Sequence, residues 1–164
     1  REGPHVSTTT NPESVINPES FTVTRTIRIE ASPHKVWAAI TEPAHLQKWF
    51  GQRAEFTELA VGATGFIAFD GYGDFAARIE ELDPPRSIAY RWGAVISDEN
   101  RNDDLFEKST VFRFTLEEVA GGTSLTVVES GFETLNDPAR SMDDNRGGWN
   151  SELDELVAYV ESLA

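Results

Sequence analysis

Apolar residues recur every three or four positions near the end of the chain, and acidic residues fill the positions between them. This period is typical of an amphipathic helix that buries one face. We therefore predict a long helix over about residues 137–163. Its apolar seam consists of Trp149, Leu153, Leu156, Val160 and Leu163. Burying each Leu or Val contributes roughly 1.5–3 kcal/mol, so the helix needs a broad apolar partner.

Gly147 and Gly148 interrupt this helical pattern. Each glycine costs about 1 kcal/mol relative to alanine in a helix interior. One interpretation is a helix that starts late or kinks here. The other is that the missing side chains let the backbone come close to a sheet or a ligand. The sequence leaves both interpretations open.

The preceding stretch alternates apolar and polar residues, which is the period of a half-buried β-strand. Turn sequences such as Asp83-Pro84-Pro85 and Ala120-Gly121-Gly122-Thr123 separate these segments. Short connections of this kind favour an antiparallel sheet. The predicted strands cover residues 21–30, 54–57, 65–69, 74–82, 87–92, 109–118 and 124–130.

Two short helices are predicted after the first strand. Ser32 is a suitable N-cap and Pro33 a suitable first helical residue. Thr41-Glu42-Pro43 ends this helix, and a second one covers Pro43 to Lys48. The order of elements predicts an α+β fold, with a curved antiparallel sheet wrapped around the long C-terminal helix. Such a sheet leaves a cleft against the helix.

Composition limits the number of domains and the kinds of partner. Residues 1–20 are predicted to form a disordered or loosely docked arm, and residues 21–164 a single domain. The chain has 14 basic and 28 acidic residues, a formal net charge of −14. This charge repels nucleic acid and anionic membrane surfaces. No apolar run spans a bilayer and no signal peptide is recognisable, so we expect a cytoplasmic protein.

Chemical motifs are scarce. The chain has no cysteine, and its three histidines are not clustered at metal-ligand spacing. The acidic run at 98–104 lacks the spacing of an EF-hand. Neither a nucleotide-binding glycine loop nor a nucleophile elbow is recognisable. The sequence predicts no metal, no cofactor and no catalytic residue.

The strand phases direct large apolar side chains toward the interior of the predicted sheet. Each one alone fits a packed core, whereas the set fits a mostly apolar ligand pocket. The interior candidates are Phe69, Phe75, Ile79, Tyr90, Trp92, Phe112, Phe114, Trp149 and Leu153. Trp49, Phe50 and Phe132 are expected near its mouth.

Glu129 continues the apolar phase of the last strand after Leu125 and Val127. An inward carboxylate in an apolar pocket has a raised pKa unless it is paired. Glu129 is then either a ligand anchor or general base, or a strand-end residue that reaches solvent. Arg25, on the apolar side of the first strand, is a candidate partner across neighbouring strands. Its alternative is an arginine at the sheet margin with its head in water.

An ordered set of short motifs resembles the family named for the activator of Hsp90 ATPase, within the START-like, helix-grip superfamily. The set runs through Ala31-Ser32-Pro33, Val36-Trp37, Thr41-Glu42-Pro43, Leu46, Trp49-Phe50, Val61-Gly62, Phe66, Leu82-Asp83-Pro84-Pro85-Arg86, Tyr90-Arg91-Trp92, Gly122-Thr123-Ser124-Leu125-Thr126, Ser130-Gly131-Phe132 and Gly148-Trp149. The resemblance covers about residues 21–164. It implies a curved sheet around the C-terminal helix and an internal hydrophobic cavity.

The resemblance leaves three functions open. The favoured one is non-catalytic binding of a small hydrophobic or amphipathic molecule between the sheet and the helix. The second is an enzyme like the cyclases and hydrolases of the superfamily, which requires two or more convergent polar residues in the pocket. The third is a module that regulates an Hsp90-type ATPase. A monomer and a homodimer both fit.

Overall fold

An eight-stranded antiparallel sheet holds a long C-terminal helix in the computed structural model, which describes residues 11–100 and 102–163. The strands are β1 (Val15–Asn17), β2 (Thr22–Ile29), β3 (Arg53–Phe56), β4 (Thr64–Phe69), β5 (Gly73–Asp83), β6 (Ser87–Val95), β7 (Thr110–Val119) and β8 (Gly122–Ser130). Their spatial order is β1-β2-β8-β7-β6-β5-β4-β3. The helices are α1 (Pro33–Thr41), α2 (Pro43–Trp49), a 3-10 turn (Phe132–Thr134) and α3 (Pro138–Ser162).

The predicted α+β helix-grip fold is confirmed, and local signals account for the helix ends. Ser32 caps α1 by accepting a hydrogen bond from the Lys35 backbone N–H at 3.3 Å. Asp137 caps α3 in the same way, with Arg140 as donor. Proline occupies the first position of all three α-helices, where its missing N–H costs nothing.

The α3 helix packs its predicted apolar seam onto the sheet. Trp149, Leu153, Leu156 and Val160 are at most 5% exposed, whereas Leu163 at the C-cap is half-buried. Their burial attaches α3 to the sheet. Among the described residues, no helix combines the length and apolar character needed to cross a membrane.

The glycine pair lies inside α3 and does not interrupt it. The helix begins at Pro138, so a late start is wrong. A Cβ atom built on Gly147 or Gly148 meets no other atom within 4 Å, so close packing against the sheet does not explain these glycines either. Gly147 is exposed, whereas Gly148 is half-buried and faces open space beside the sheet.

Order begins earlier than the predicted start at Phe21. Strand β1 pairs with β2, and the Ser14 backbone N–H and hydroxyl both donate to the Asn150 side chain of α3, at 2.7 and 2.9 Å. A three-residue strand carries too short an alternation to be recognised from sequence. The described part of the predicted arm, 11–20, is therefore docked, and 1–10 lie outside the described residues.

Arg25 is buried, and neither of its predicted placements is correct. Its side chain is 3% exposed and reaches α3, where it donates to the carbonyls of Trp149 and Asn150 and to Asp154 at 2.9 Å. Arg25 does not pair with Glu129, because the β2–β8 register places Val127 opposite it. The inward side of β2 faces α3, so this guanidinium fastens the helix to the sheet.

Candidate functional site

A small cavity of about 90 Å³ lies between the end of α2, strands β4 and β6, and one face of α3. We call it the central cavity. Its lining consists of Phe50, Phe69, Trp92, Asn145, Gly148, Trp149 and Glu152. The four residues from α3 follow the spacing i, i+3, i+4, i+7, which places them on one face of a helix.

Two larger hollows share walls with the central cavity. The α2-side hollow of about 280 Å³ shares Phe50, Phe69 and Glu152 with it. The β7-side hollow of about 230 Å³ shares Trp92 and Asn145. Sites for drug-sized ligands usually measure about 300–1,000 Å³. The central cavity alone is too small for such a ligand, whereas the three hollows together are large enough.

The three hollows follow one polar stripe along α3. This stripe consists of Ser141, Asn145, Gly148, Glu152 and Glu155. It runs beside the apolar seam of the same helix at alternating steps of three and four residues. One edge of α3 therefore faces the row of hollows, while the seam fills the core.

The Phe50 ring narrows the central cavity. It lies nearly parallel to the Trp149 indole, with centroids 5.6 Å apart and planes inclined by 13°. Its other neighbours include Trp92, with centroids 5.9 Å apart and planes inclined by 28°. Phe50 is 4% exposed, so its ring is enclosed by these neighbours.

Glu129 lies fully buried beside this cavity, so the prediction that it reaches solvent is wrong. Its Oε1 accepts from the Trp149 indole N–H at 2.8 Å. Its Oε2 accepts from the Thr110 hydroxyl at 2.5 Å and the Trp92 indole N–H at 3.2 Å. The Asn145 amide N–H₂ donates to both oxygens, at 3.0 and 3.1 Å. These four side chains meet at one carboxyl group.

No cation compensates the Glu129 carboxylate among the hydrogen bonds and ion pairs of the described residues. Burial raises its pKa, and the four neutral donors only partly oppose that rise. Both oxygens are already occupied by donors. Glu129 therefore orients Asn145 and the two indoles and does not itself face a ligand.

Asn145 and Glu152 are site residues that the sequence analysis missed. The Asn145 N–H₂ group points to Glu129, so its Oδ1 faces the other way and accepts no hydrogen bond from the described protein groups. Glu152 is one of the acidic residues between the seam positions, where the sequence pattern predicts a solvated helix face. Partial burial, followed by the charge of Glu155, raises its pKa to about 7. The spacing of Asn145 and Glu152 from Trp149 could have identified them, because positions i−4 and i+3 lie on the same side of a helix as position i.

The structure brings together only part of the predicted aromatic set. Phe50, Phe69, Trp92 and Trp149 line the central cavity, while Trp49 and Phe75 line the neighbouring hollows. The Tyr90 hydroxyl is committed elsewhere, donating to the Ile40 carbonyl at 2.6 Å. The remaining buried members are Phe112, Phe114, Phe132 and Leu153, and none of them lines a described hollow.

Ile79 lines a separate hollow of about 130 Å³ on the far side of the core, together with Thr41 and Phe56. Its side chain is 1% exposed. Phe132, predicted near the mouth, is fully buried at the start of the 3-10 turn. The alternation along each strand therefore identified which residues point to the inward side of the sheet. It did not identify which of these inward residues line a cavity.

Replacing Glu152 with glutamine should stabilise the protein above pH 7. The pKa of Glu152 rises from 4.5 to about 7 on folding, so the folded protein binds this proton more tightly than the unfolded chain does. The stability that this proton contributes is fully present below pH 4.5 and is lost as the pH rises through 7. A shift of this size is worth about 3 kcal/mol when unscreened, and solvent screening reduces it to about 1 kcal/mol. Urea unfolding at pH 5 and pH 8 measures the difference.

Asp144→Asn is the matched control, because Asp144 is an exposed acid of the same helix and lines none of the described hollows. It should change stability by less than about 0.5 kcal/mol at either pH. If the stability of Glu152→Gln relative to the wild type does not increase between pH 5 and pH 8, the prediction of a raised pKa for the Glu152 carboxyl is contradicted.

Comparison with known proteins gives a family and a fold. Residues 30–161 match the family model described as "Activator of Hsp90 ATPase homolog 1-like protein". That match covers most of the described chain. No curated protein sequence matches.

Several solved structures share the fold. Protein MLL2253 from Mesorhizobium loti is 26% identical, with 87% of this chain and 98% of that one covered and a TM-score of 0.73. The Aha1 dimer from Colwellia psychrerythraea is 22% identical, with 86% and 96% covered and a TM-score of 0.66. DynU16, a protein in the dynemicin biosynthetic locus, is 22% identical, with 86% and 47% covered and a TM-score of 0.68. The last two similarities show the fold alone.

Proposed function

Because this chain belongs to the activator of Hsp90 ATPase homolog 1-like family, we propose that it binds a small hydrophobic or amphipathic molecule along α3. The row of three hollows carries this proposal. The walls of the central cavity and the β7-side hollow combine aromatic rings with a few polar groups, which is the usual composition of a small-molecule site, whereas the α2-side hollow is more polar.

Apolar and polar wall residues would make different contributions to binding. Aromatic side chains supply apolar contact area, worth roughly 25 cal/mol for each Å² removed from water. The Asn145 Oδ1 atom can accept a hydrogen bond from a ligand donor, since its amide N–H₂ is held by Glu129. Phe50, stacked on Trp149, borders the narrow centre of this row.

An enzyme of the polyketide cyclase or hydrolase type is the second candidate, and one observation favours it. Glu152, with its pKa raised to about 7, and Asn145 both line the central cavity. A carboxyl group with a pKa near neutrality suits general acid or base catalysis. Regulation of an Hsp90-type ATPase stays a prediction.

A methyl group added at Gly148 should weaken ligand binding, whereas one added at Gly147 should not. Gly148 lines the central cavity, and its new Cβ would project into open space there. Gly147 is exposed. Both alanine variants should gain about 1 kcal/mol of stability from helix propensity alone. Fluorescence titration with Nile red, a neutral apolar dye, should show about fivefold weaker binding for Gly148→Ala only, or about 1 kcal/mol.

Urea unfolding of both variants checks that each is folded and stabilised. Equal dye affinity in the two variants would place the bound dye away from the central cavity. A wild-type protein that binds no dye would count against the whole proposal.

A further inference from the structure

We propose that the ligand carries a positively charged amine, protonated or quaternary, which lies in the central cavity between its aromatic rings and Glu152. This inference rests on the proposed function and specifies its ligand class. Four observations support it: the lining, the charges, the arrangement of hydrogen-bond donors, and the size of the space.

The lining is dominated by aromatic rings. Four of the seven residues that border the central cavity are Phe50, Phe69, Trp92 and Trp149. The negative face of an aromatic ring attracts a cation within about 6 Å of its centre, with tryptophan as the best partner. Groups of such rings are the common way in which proteins bind quaternary ammonium ions.

The charge at this site is negative. Glu152 is the charged residue that borders the central cavity. The buried Glu129 carboxyl lies directly behind the lining, hydrogen-bonded to the indoles of Trp92 and Trp149, without a described cationic partner. A cation in the cavity would compensate the Glu152 carboxylate and would lie close to the buried Glu129 carboxyl. The net charge of −14 also favours the approach of cations.

The charged groups of the neighbouring hollows complete this picture. Lys48 and Glu155 border the α2-side hollow together with Glu152. Lys108 borders the β7-side hollow and donates to Asn136 Oδ1 at 2.6 Å. Neither lysine borders the central cavity, so the space between the aromatic rings has no resident cation.

The arrangement of hydrogen-bond donors disfavours an anion. The Trp149 indole and the Asn145 amide donate to Glu129, and the Trp92 indole N–H is shared between Glu129 at 3.2 Å and the Thr110 hydroxyl at 3.0 Å, so these donors are already committed. What remains for a ligand is a set of acceptors, namely Asn145 Oδ1 and the Glu152 carboxylate. An anion would meet no donor here, whereas an ammonium or an adjacent hydroxyl group would meet suitable acceptors.

The size of the central cavity, about 90 Å³, accommodates a compact head group and not a large ring system. A trimethylammonium group is compact and has no N–H to satisfy, so it needs only ring faces and a nearby negative charge. The remainder of the ligand would extend into the α2-side or the β7-side hollow, each of at least 230 Å³.

Choline and 3,3-dimethyl-1-butanol provide a matched pair of probes, since the alcohol replaces the charged nitrogen with a carbon of the same shape. Titration at pH 8 and constant ionic strength would follow the indole N–H signals of ¹⁵N-labelled protein by NMR. Both probes should shift the Trp92 and Trp149 signals, with Trp37, outside the described hollows, as reference. Choline should bind at least tenfold more tightly than the alcohol.

Glu152→Gln should weaken choline about tenfold and leave the alcohol unchanged, whereas Asp144→Asn should change neither. An alcohol that binds as tightly as choline would overturn the cation preference and leave the binding site standing. Choline affinity that is insensitive to Glu152→Gln would also overturn the inference. If neither probe shifts either indole signal, the proposed function fails as well.

Discussion

Glu129→Ala should destabilise the protein by about 3–5 kcal/mol. The substitution leaves the Trp149 indole, the Asn145 amide and the Thr110 hydroxyl without their buried acceptor. Each buried donor left without an acceptor costs about 1–3 kcal/mol, and three such groups remain here. Urea unfolding followed by circular dichroism gives the change in free energy.

Glu133→Ala is the matched control for this prediction. Glu133 is an exposed glutamate in the 3-10 turn that follows β8. Its loss should change stability by less than about 0.5 kcal/mol. A loss below about 1 kcal/mol in Glu129→Ala would mean that water readily replaces the carboxylate, and would contradict the closed cluster.

The pH dependence of Glu129 has a definite sign. Burial raises its pKa above the ordinary value of 4.5, so the folded protein holds this proton more tightly than the unfolded chain. The stability contributed by the protonated Glu129 carboxyl is fully present below pH 4.5 and is lost as the pH rises. Glu129→Gln lacks this titration, so its stability relative to the wild type should improve with rising pH.

Phe50→Ala should cost about 3–5 kcal/mol of stability and yet strengthen the binding of apolar probes. The ring is 4% exposed and stacks on both Trp92 and Trp149, so its removal opens the centre of the site. We expect Nile red affinity to rise about tenfold, or about 1.4 kcal/mol. Fluorescence titration and urea unfolding measure the two effects.

Phe114→Ala separates the effect of the site from that of lost packing. Phe114 is fully buried and lines none of the described hollows. It should lose a similar amount of stability without a gain in dye affinity. Equal gains in both variants would show that the dye binds loosened structure, and Phe50 would lose its role as the ring that narrows the cavity.

The candidate site could be predicted only in part from the sequence. The phase of β8 gave an inward Glu129 as one of two alternatives, and the helical period predicted Trp149 on the inward face of α3. The same period would have included Asn145 and Glu152, but Asn145 was not considered and the polarity of Glu152 led to its assignment to a solvated face. Polarity predicts burial poorly at such positions, because a helix edge beside a cavity is neither packed in the core nor fully exposed to solvent.

The sequence by itself determined the elements of this protein from β2 to α3 and most of their inward faces, but not the short strand β1. Caps such as Ser32 and Asp137, and the spacing of the α3 seam, act within a few residues, so a single chain displays them. Only the tertiary structure decided which carboxyl groups border empty space, and that Arg25 reaches α3, 124 residues away along the chain, and not Glu129. Such contacts depend on sheet register and on how α3 crosses the sheet, because these bring distant residues together.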